Sequence, residues 1–316
     1  MTSVTYEQMR ERQSMPLEDK IRFTESRIKA WYLHYYGDVY VSFSGGKDST
    51  VLLDITKRLF PDVPAVFCDT GLEYPEVREL ALRKADVVLR PKMNFKQVIE
   101  KYGYPIPGKE QALYIRQARH TKSDHMRNLR LGNGRYSVSN RWRPLVYAPF
   151  EVSEKCCDVI KKEPFKKYAK ETKRARMTAM MAHESIRRER GYMRFGCNNF
   201  SDKNPASMPM AIWTEQDVLR YIKDNGIEYA ACYGEIVETR GGLLRCTREN
   251  RTGCMFCMFG IQYDGNPNRF QRMARDYPKQ YDYCINKLGI GRVLDYVGIP
   301  YEYQPTLFDG KEDGDE

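Results

Sequence analysis

The sequence predicts an α/β fold built on a Rossmann-like parallel sheet, followed by a C-terminal cysteine-rich segment. Short runs rich in β-formers alternate with longer helical runs over residues 39–102, and a glycine-rich turn joins the first strand to the next helix. A hydrophobic share of 41% and an aromatic share of 12% are sufficient for a packed core and exclude a wholly disordered chain.

The predicted elements follow one another in order. Residues 1–36 are charged and helical, and the first strand, Val39–Phe43, comes directly after them. Pro75 suits the first turn of a helix, and Asn94 and Thr214 suit helix caps. The other predicted strands are Ala65–Cys68 and Asp86–Leu89, and the other predicted helices are Ser49–Leu59, Pro75–Arg83, Phe95–Tyr102 and Trp213–Ile222.

Composition divides the chain into an N-terminal helical segment, 1–36, a central domain, 37–230, and a C-terminal segment with an acidic tail, 231–316. Within the central domain, Lys109–Arg143 is strongly basic, and Tyr114, Tyr136 and Trp142 are interleaved with its cations. Such a stretch suits a nucleic-acid surface, with a solvated loop or a nucleotide lid as the alternatives.

Net charge and hydropathy limit the cellular compartments and the classes of partner that suit this protein. The net charge of +10 and the pI of about 9.0 favour polyanions such as nucleic acid or nucleotides. No apolar run is long enough for a membrane span, and Met1–Ser14 lacks the apolar core of a signal peptide. We therefore expect a cytoplasmic protein without membrane association, in which the nine cysteines do not form disulfides and the clustered ones bind metal or perform chemistry.

The glycine turn is Ser44-Gly45-Gly46-Lys47-Asp48-Ser49. Glycines there let successive backbone N–H groups converge on one anion, and the following helix adds its positive N-terminal end. Lys47 adds a full charge, and the hydroxyls of Ser44 and Ser49 can donate hydrogen bonds. The turn therefore predicts a phosphate or pyrophosphate site, although its spacing is not that of a Walker A loop. Asp69 also falls at a strand carboxyl end, so both are expected to face one ligand.

These residues resemble the Ser-Gly-Gly-x-Asp-Ser hallmark of the PP-loop ATP pyrophosphatases, which have an adenine nucleotide alpha hydrolase-like fold. Further motifs resemble the phosphoadenosine phosphosulfate (PAPS) reductase-like branch of that superfamily and occur in family order. They are Asp69-Thr70-Gly71, the Cys156-Cys157 segment with its following lysines, and the Trp213–Val218 helix. The string around Cys254 is similar to an uncharacterised bacterial and phage subgroup of that branch.

The resemblance implies that the loop holds the phosphates of ATP or a related nucleotide. Magnesium is then expected with it, and Lys47, Asp48 and Asp69 are the expected catalytic residues. A second anion-binding segment is implied at Met180–Arg188, where the preceding Ala179 replaces the glycine of many relatives. A solvated helix face is the alternative for the arginines of that segment. The residues expected to bind nucleotide outside the loop are Asp69, Thr70, Gly71, Glu184, Ser185 and Arg188.

The cysteines predict a metal centre. Cys254 and Cys257 form a Cys-x-x-Cys pair, which directs two thiolates at one metal, and a distant pair can complete four ligands. Adenylyl-sulfate reductases hold a 4Fe–4S cluster with a Cys-Cys pair and a distant Cys-x-x-Cys, so the resemblance implies such a cluster. Zinc and plain thiols are the alternatives. The expected ligands are Cys157, Cys246, Cys254 and Cys257, with Cys156 contending for one place.

Two enzyme classes fit the resemblance. Sulfonucleotide reductases carry a nucleophilic cysteine in a C-terminal Glu-Cys-Gly motif, whereas the last cysteine here is Cys284, outside such a motif. PP-loop ATP pyrophosphatases instead adenylate a substrate oxygen, release pyrophosphate and let sulfur displace AMP. We expect the second class: a sulfurtransferase on nucleic acid, of the DNA phosphorothioation or tRNA thiolation type. Reduction of PAPS or adenylyl sulfate is the alternative.

The expected partners are DNA or tRNA and a sulfur donor such as a cysteine desulfurase. Gln304–Phe308 resembles the short peptides that dock on the bacterial sliding clamp, with packing of the tail on the core as the alternative. A non-catalytic nucleotide-binding subunit with a structural cluster is a third alternative, and the intact Lys47 and Asp48 argue against it.

Overall fold

The computed structural model describes residues 4–201 and 205–303 and divides into two compact units. The first unit is Met1–Lys92 with Lys161–Thr252, and the second is Met93–Ile160 with Gly253–Glu316. Both units are discontinuous in sequence, whereas the division expected from composition, 1–36, 37–230 and 231–316, was linear. Composition along the chain does not reveal which distant segments pack together. The sliding-clamp-like peptide, 304–308, lies outside the described residues.

A largely parallel sheet forms the centre of the first unit. Its strands are β1 (Val39–Phe43), β2 (Ala65–Cys68), β3 (Val87–Leu89), β4 (Ala175–Met177), β5 (Asn198–Asn199) and β6 (Ala206–Ser207). Over the described residues they follow the order β3-β2-β1-β4-β6-β5, and every neighbouring pair is parallel except β5 with β6. This arrangement confirms the predicted Rossmann-like α/β class.

Helices and one hairpin complete the first unit. Its helices are α1 (Tyr6–Gln13), α2 (Leu17–His34), α3 (Lys47–Leu59), α4 (Pro75–Lys84), α8 (Glu163–Thr172), α9 (Ile186–Phe195) and α10 (Glu215–Asn225), and the hairpin pairs β7 (Ile236–Glu238) with β8 (Leu244–Cys246). The core between α2, α3 and α10 is largely apolar, and Trp213 donates a 2.8 Å hydrogen bond to the buried Thr24. Helix α3 begins at Lys47, two residues before the predicted start, so the cation of the glycine turn lies in its first turn.

The second unit is helical. It contains α5 (Phe95–Tyr102), α6 (Lys109–His120), α7 (Asp124–Leu131), α11 (Arg269–Asp276), α12 (Pro278–Asp282) and α13 (Ile290–Tyr296). The predicted Asn94 cap is present as a capping box with Gln97. The hydroxyl of Tyr104 donates to the carbonyl of Leu288 at 2.9 Å, which ties the two sequence segments of this unit together. Among the described residues, none of the helices combines the length and apolar character needed to cross a membrane.

Candidate functional site

The glycine turn connects β1 to α3 through a backbone that only glycine accepts. Gly45 has φ of +73°, and a Cβ atom there would lie 2.5 Å from the carbonyl oxygen of Val77 on α4. Gly46 caps α3 in an extended conformation, with φ of −76° and ψ of 155°. The turn therefore packs directly against the backbone of α4, and a larger residue at Gly45 would push the two apart.

The two serines of the loop have different surroundings. Ser49 is buried, and its hydroxyl lies 2.9 Å from the Gly46 carbonyl and 3.0 Å from the hydroxyl of Ser44. The backbone N–H of Ser44 also donates to Ser49 Oγ, at 3.2 Å. Ser49 thus holds the loop closed on itself, whereas Ser44 is exposed and its hydroxyl is accessible to a ligand.

Lys47 is a buried cation with defined contacts, and only 4% of the residue is exposed. Its ammonium donates to the Glu215 carboxylate at 2.6 Å and to the carbonyl oxygen of Asn250. The same nitrogen lies 5.3 Å from the centre of the Tyr233 ring, within the range of a cation–π interaction. A carboxylate, a carbonyl dipole and an aromatic face therefore stabilise this charge together.

Asp48, unlike Lys47, has a buried charged atom that no neighbouring side chain or backbone group stabilises by a hydrogen bond among the described residues. This atom is Oδ1 of the carboxyl group. Burial raises the pKa of this carboxyl, and the charge of Lys47 opposes the shift. A buried carboxylate oxygen without a donor is costly, and hard divalent cations such as Mg²⁺ take such oxygens as ligands. The donor chemistry of Asp48 therefore fits the expected magnesium.

Asp69 lies at the end of β2 and is fully engaged by Arg78. The guanidinium makes a bidentate pair, with Nε 2.7 Å from Oδ1 and Nη2 2.8 Å from Oδ2. These hydrogen bonds hold the pKa of Asp69 below its ordinary value. The next residue, Thr70, donates its hydroxyl to Glu73 at 2.6 Å and closes the turn that contains Gly71. This geometry suits positioning of the turn rather than proton transfer by Asp69.

The second predicted anion-binding segment reaches the loop through Arg188. Ser185 caps α9 by accepting the N–H of Arg188 at 3.3 Å, and Glu184 forms ion pairs with Arg188 and with Arg251. Burial lowers the pKa of Arg188, repulsion from Arg251 adds to the shift, and attraction to Asp48 opposes it. The structure therefore brings two arginines, one carboxylate of this segment and Asp48 of the loop together.

Cys246 lies beside the loop, in the first unit. Burial raises the pKa of its thiol, and the nearby charge of Lys47 opposes the shift. The strand that carries Cys246 is fixed to the start of α10 because Gln216 both donates to and accepts from the backbone of Leu244, each at 2.8 Å. Its charged neighbours thus include Lys47 and Asp48 of the glycine turn and Glu215 of α10.

The other four candidate ligands, Cys156, Cys157, Cys254 and Cys257, lie in the second unit. The pKa of Cys257 rises to about 11, chiefly through burial, with further contributions from Cys254 and Cys157. The N–H of Cys257 donates to the carbonyl of Cys254 at 3.1 Å, and Arg269 donates to the carbonyl of Cys257 at 3.0 Å. Within residues 4–201 and 205–303, no three His, Cys, Asp or Glu side chains form a metal-binding arrangement. Thiolate chemistry suits iron, and cluster binding would require these thiols to converge on one point.

Several residues of the site were not anticipated from the sequence. They come from α4, the start of α10, a 3₁₀ turn at Ala231–Tyr233, and the segment after β8. Glu215 follows the predicted helix cap Thr214, which indicates its place at the start of a helix but not its contact with Lys47. The other positions carry no recognisable motif. These residues are Arg78, Glu215, Tyr233, Asn250, Arg251 and Thr252.

A family model described as the phosphoadenosine phosphosulfate reductase domain matches residues 38–257. An uncharacterised protein of Methanocaldococcus jannaschii is 26% identical over 255 residues, which cover 78% of this chain and 46% of that protein. An adenosine 5'-phosphosulfate reductase of Staphylococcus epidermidis is 28% identical over 112 residues, which cover 33% of this chain and 46% of that enzyme. The chain spans less than half the length of these curated relatives.

Among solved structures, a phosphoadenylyl-sulfate (PAPS) reductase from Candida auris, in complex with phosphate, matches with a TM-score of 0.39 and 15% sequence identity. The alignment covers 72% of this chain and 91% of that one.

The Asp69–Arg78 pair generates a stability prediction. Replacing Asp69 with Asn should lower the free energy of unfolding by roughly 1–3 kcal/mol at pH 7, because the bidentate pair of a buried carboxylate is lost. Arg78 is partly exposed, so water can solvate its guanidinium in the variant and the loss stays within this range. The pKa of Asp69 is lower in the folded protein than in the unfolded chain, where it is 3.8. The pair therefore contributes its whole stabilisation above pH 3.8, and this contribution is lost as the pH falls through the pKa of the folded state. Denaturant unfolding at several pH values measures it.

The matched control is Asp19→Asn, which removes a half-exposed carboxylate from its pair with the exposed Arg22. That variant should change the free energy of unfolding by less than about 0.5 kcal/mol. Equal effects of the two substitutions at pH 7 would contradict the importance assigned to the Asp69 pair.

Proposed function

The chain belongs to the phosphoadenosine phosphosulfate reductase domain family, and from that premise we propose that it is an ATP-dependent sulfurtransferase acting on nucleic acid. The supporting observation is the loop itself, where a buried Lys47 adjoins an Asp48 oxygen without a hydrogen-bond partner among the described residues. A cation and a metal-ligand oxygen side by side suit a magnesium-bound polyphosphate. AMP and pyrophosphate are the proposed products of ATP.

The roles proposed for the chain's own residues are positioning and charge neutralisation. The loop amides other than that of Lys47, together with the Lys47 ammonium, would hold the phosphates, and Arg188 with Arg251 would balance the charge that develops on departing pyrophosphate. Asp48 would hold Mg²⁺, which when bound supplies further neutralisation of the phosphate oxygens. Ser44, as the exposed hydroxyl of the loop, is suited to donate to a phosphate oxygen.

The alternative activity is reduction of a sulfonucleotide, as the name of the Staphylococcus epidermidis relative states for that protein. Such chemistry requires an accessible thiolate. Cys284, the last cysteine in the sequence, is fully buried, and burial raises the pKa of its thiol. These properties favour sulfur transfer over reduction by Cys284.

A 4Fe–4S cluster is proposed on the second unit. Cys157, Cys254 and Cys257 interact electrostatically there, and Cys156 adjoins Cys157 in sequence as a further donor. A bound cluster would supply iron able to carry sulfur. Cys246 was expected among the ligands, but its charged neighbours belong to the nucleotide loop, so the ligand set proposed here omits it.

Most arginines of the basic stretch have structural contacts. Arg116 makes a bidentate pair with Glu154, and Arg119 donates to the carbonyl of Phe150 at 2.7 Å. Arg143 donates to the carbonyls of Leu131 and Gly132 at the end of α7, where a cation is favourable. These side chains stabilise the second unit and are not free to contact phosphates.

Four other cations of that stretch are exposed and form no ion pair with any described residue: Lys109, Lys122, Arg135 and Arg141. Arg141 lies over the Trp142 ring at 4.7 Å, and Arg135 lies 5.8 Å from the ring of Tyr136, which is 52% exposed. An arginine beside an exposed aromatic ring, as at Arg135 and Tyr136, suits the backbone and bases of an unpaired nucleic-acid strand, whereas the Trp142 ring beside Arg141 is buried.

The central experiment is product analysis under anaerobic conditions. Wild-type protein with ATP and Mg²⁺ should yield AMP and pyrophosphate, with stimulation by tRNA or DNA. Replacing Lys47 with Ala should lower turnover about 100-fold or more, because the loop loses its fixed charge at the phosphates. The matched control is Lys29→Ala, an exposed lysine on α2. Sulfite from adenylyl sulfate or PAPS without ATP cleavage would replace this proposal with the reductase.

Iron binding can be tested with two serine variants. Replacing Cys254 with Ser should remove most of the iron and acid-labile sulfide found in anaerobically purified protein, because a proposed ligand is lost. Replacing Cys246 with Ser should leave the iron content unchanged. If only Cys246→Ser loses iron, Cys246 is a ligand and Cys254 is not. If the purified protein contains zinc instead of iron, the proposed 4Fe–4S cluster is wrong.

Charge reversal tests the nucleic-acid surface. The triple substitution Lys109→Glu, Arg135→Glu and Arg141→Glu should weaken DNA or tRNA binding at least tenfold and reduce the slope of log K against log salt, because phosphate contacts are lost. The control reverses the same number of exposed cations on the first unit: Lys29→Glu, Lys223→Glu and Arg240→Glu. Equal weakening by both triples would indicate a general charge effect and contradict a surface at residues 109–141.

A further inference from the structure

Three consecutive residues after β8 each contact a different part of the nucleotide site. The carbonyl oxygen of Asn250 accepts from the ammonium of Lys47. Arg251 lies 3.5 Å from the carboxylate of Glu184. Thr252 places its hydroxyl 2.5 Å from the hydroxyl of Tyr233. Phosphate binding by the loop and by the arginines does not require this contact between Thr252 and Tyr233, so the contact needs a separate explanation.

Tyr233 holds the loop lysine at two points. Its hydroxyl accepts the backbone N–H of Lys47 at 3.3 Å, and its ring faces the ammonium of the same residue at 5.3 Å. The hydroxyl also lies 3.3 Å from the position that a Cβ atom on Gly46 would occupy. Because Tyr233 is 2% exposed, solvent does not compete for these contacts.

One hydrogen bond of the chain from Lys47 through Tyr233 to Thr252 has a fixed direction, because the N–H of Lys47 can only donate to the tyrosine oxygen. Between Tyr233 and Thr252, either hydroxyl can donate to the other. Burial raises the pKa of Tyr233, which keeps the phenolic proton in place at neutral pH. Through these two hydrogen bonds, Thr252 in the segment after β8 holds Tyr233, and Tyr233 in turn holds Lys47, the first residue of α3.

Such a chain matters because the first N–H groups of a helix have no partner within it. At α3 one of these groups is satisfied by a side chain rather than by the ligand, which fixes the first turn before a phosphate arrives. A lysine ordered in advance loses less conformational freedom on binding, so more of its interaction with the phosphates is realised.

We infer that Tyr233 and Thr252 are a positioning pair for Lys47, acting through their two hydroxyls without touching the nucleotide. The inference rests on the proposed nucleotide function of the loop. It assigns a role to two residues that no motif of the sequence marks, and it places the end of the positioning chain directly before Gly253 and Cys254 in sequence.

A double-mutant cycle on ATP cleavage tests the pair. Tyr233→Phe retains the ring and loses the hydroxyl, and Thr252→Val retains the shape and loses the hydroxyl. Each should lower kcat roughly tenfold, with a smaller change in ATP affinity measured by calorimetry. The double variant should be no slower than either single variant, because the two hydroxyls act as a unit. Thr252→Ser, which keeps the hydroxyl, should restore the wild-type rate.

Tyr36→Phe is the matched control, since Tyr36 is 94% exposed, and it should leave kcat unchanged. Additive effects of the two substitutions, or rates equal to wild type, would overturn the positioning pair while leaving the proposed function intact. A wild-type protein that binds no nucleotide would overturn both. If Tyr233→Phe fails to fold, Thr252→Val and Thr252→Ser decide alone: a slow Val variant restored by Ser supports the pair, and an unchanged Val variant overturns it.

Discussion

The burial of Lys47 at the start of α3 is the constraint on which the rest of the site depends. A lysine ammonium removed from water is strongly destabilised unless neighbouring groups replace its hydration. Here Glu215, the carbonyl of Asn250 and the ring of Tyr233 do so, and they come from three separate segments of the first unit. Contacts with this one charge thus join α10, the 3₁₀ turn before β7 and the segment after β8 to the start of α3.

Local features could be predicted from the sequence because they depend on residues close together in the chain. The strand Val39–Phe43 has the bounds that its β-formers predict, and the caps at Asn94 and Thr214 occur as expected. The glycine turn was recognised for a similar reason, since Gly45 is required by a positive φ and by the nearby backbone of α4. Periodicity, caps and turns are encoded within a few residues.

Contacts between distant segments could not be predicted in the same way. Tyr233 follows Lys47 by 186 positions, and no pattern near either residue indicates that their atoms meet. The basic stretch shows the same limit, because Arg116 and an exposed cation such as Arg141 are equivalent in sequence until Glu154 is found beside one of them. Likewise Cys246 and Cys254 are close in the chain, yet Cys246 has the charged loop as its neighbour and Cys254 has Cys257.

The balance of charge at the loop bears on which ligand it suits. Among the described residues, Lys47, Arg188 and Arg251 are matched in number by Asp48, Glu184 and Glu215. A bare polyphosphate would have to displace carboxylates from the cations or leave like charges close together, and either is costly at a partly buried site. A polyphosphate that carries Mg²⁺ would reduce this conflict, because Asp48 would hold the metal and the metal would offset part of the phosphate charge. The charge arrangement is therefore consistent with the proposed metal–nucleotide complex and less suited to a free anion.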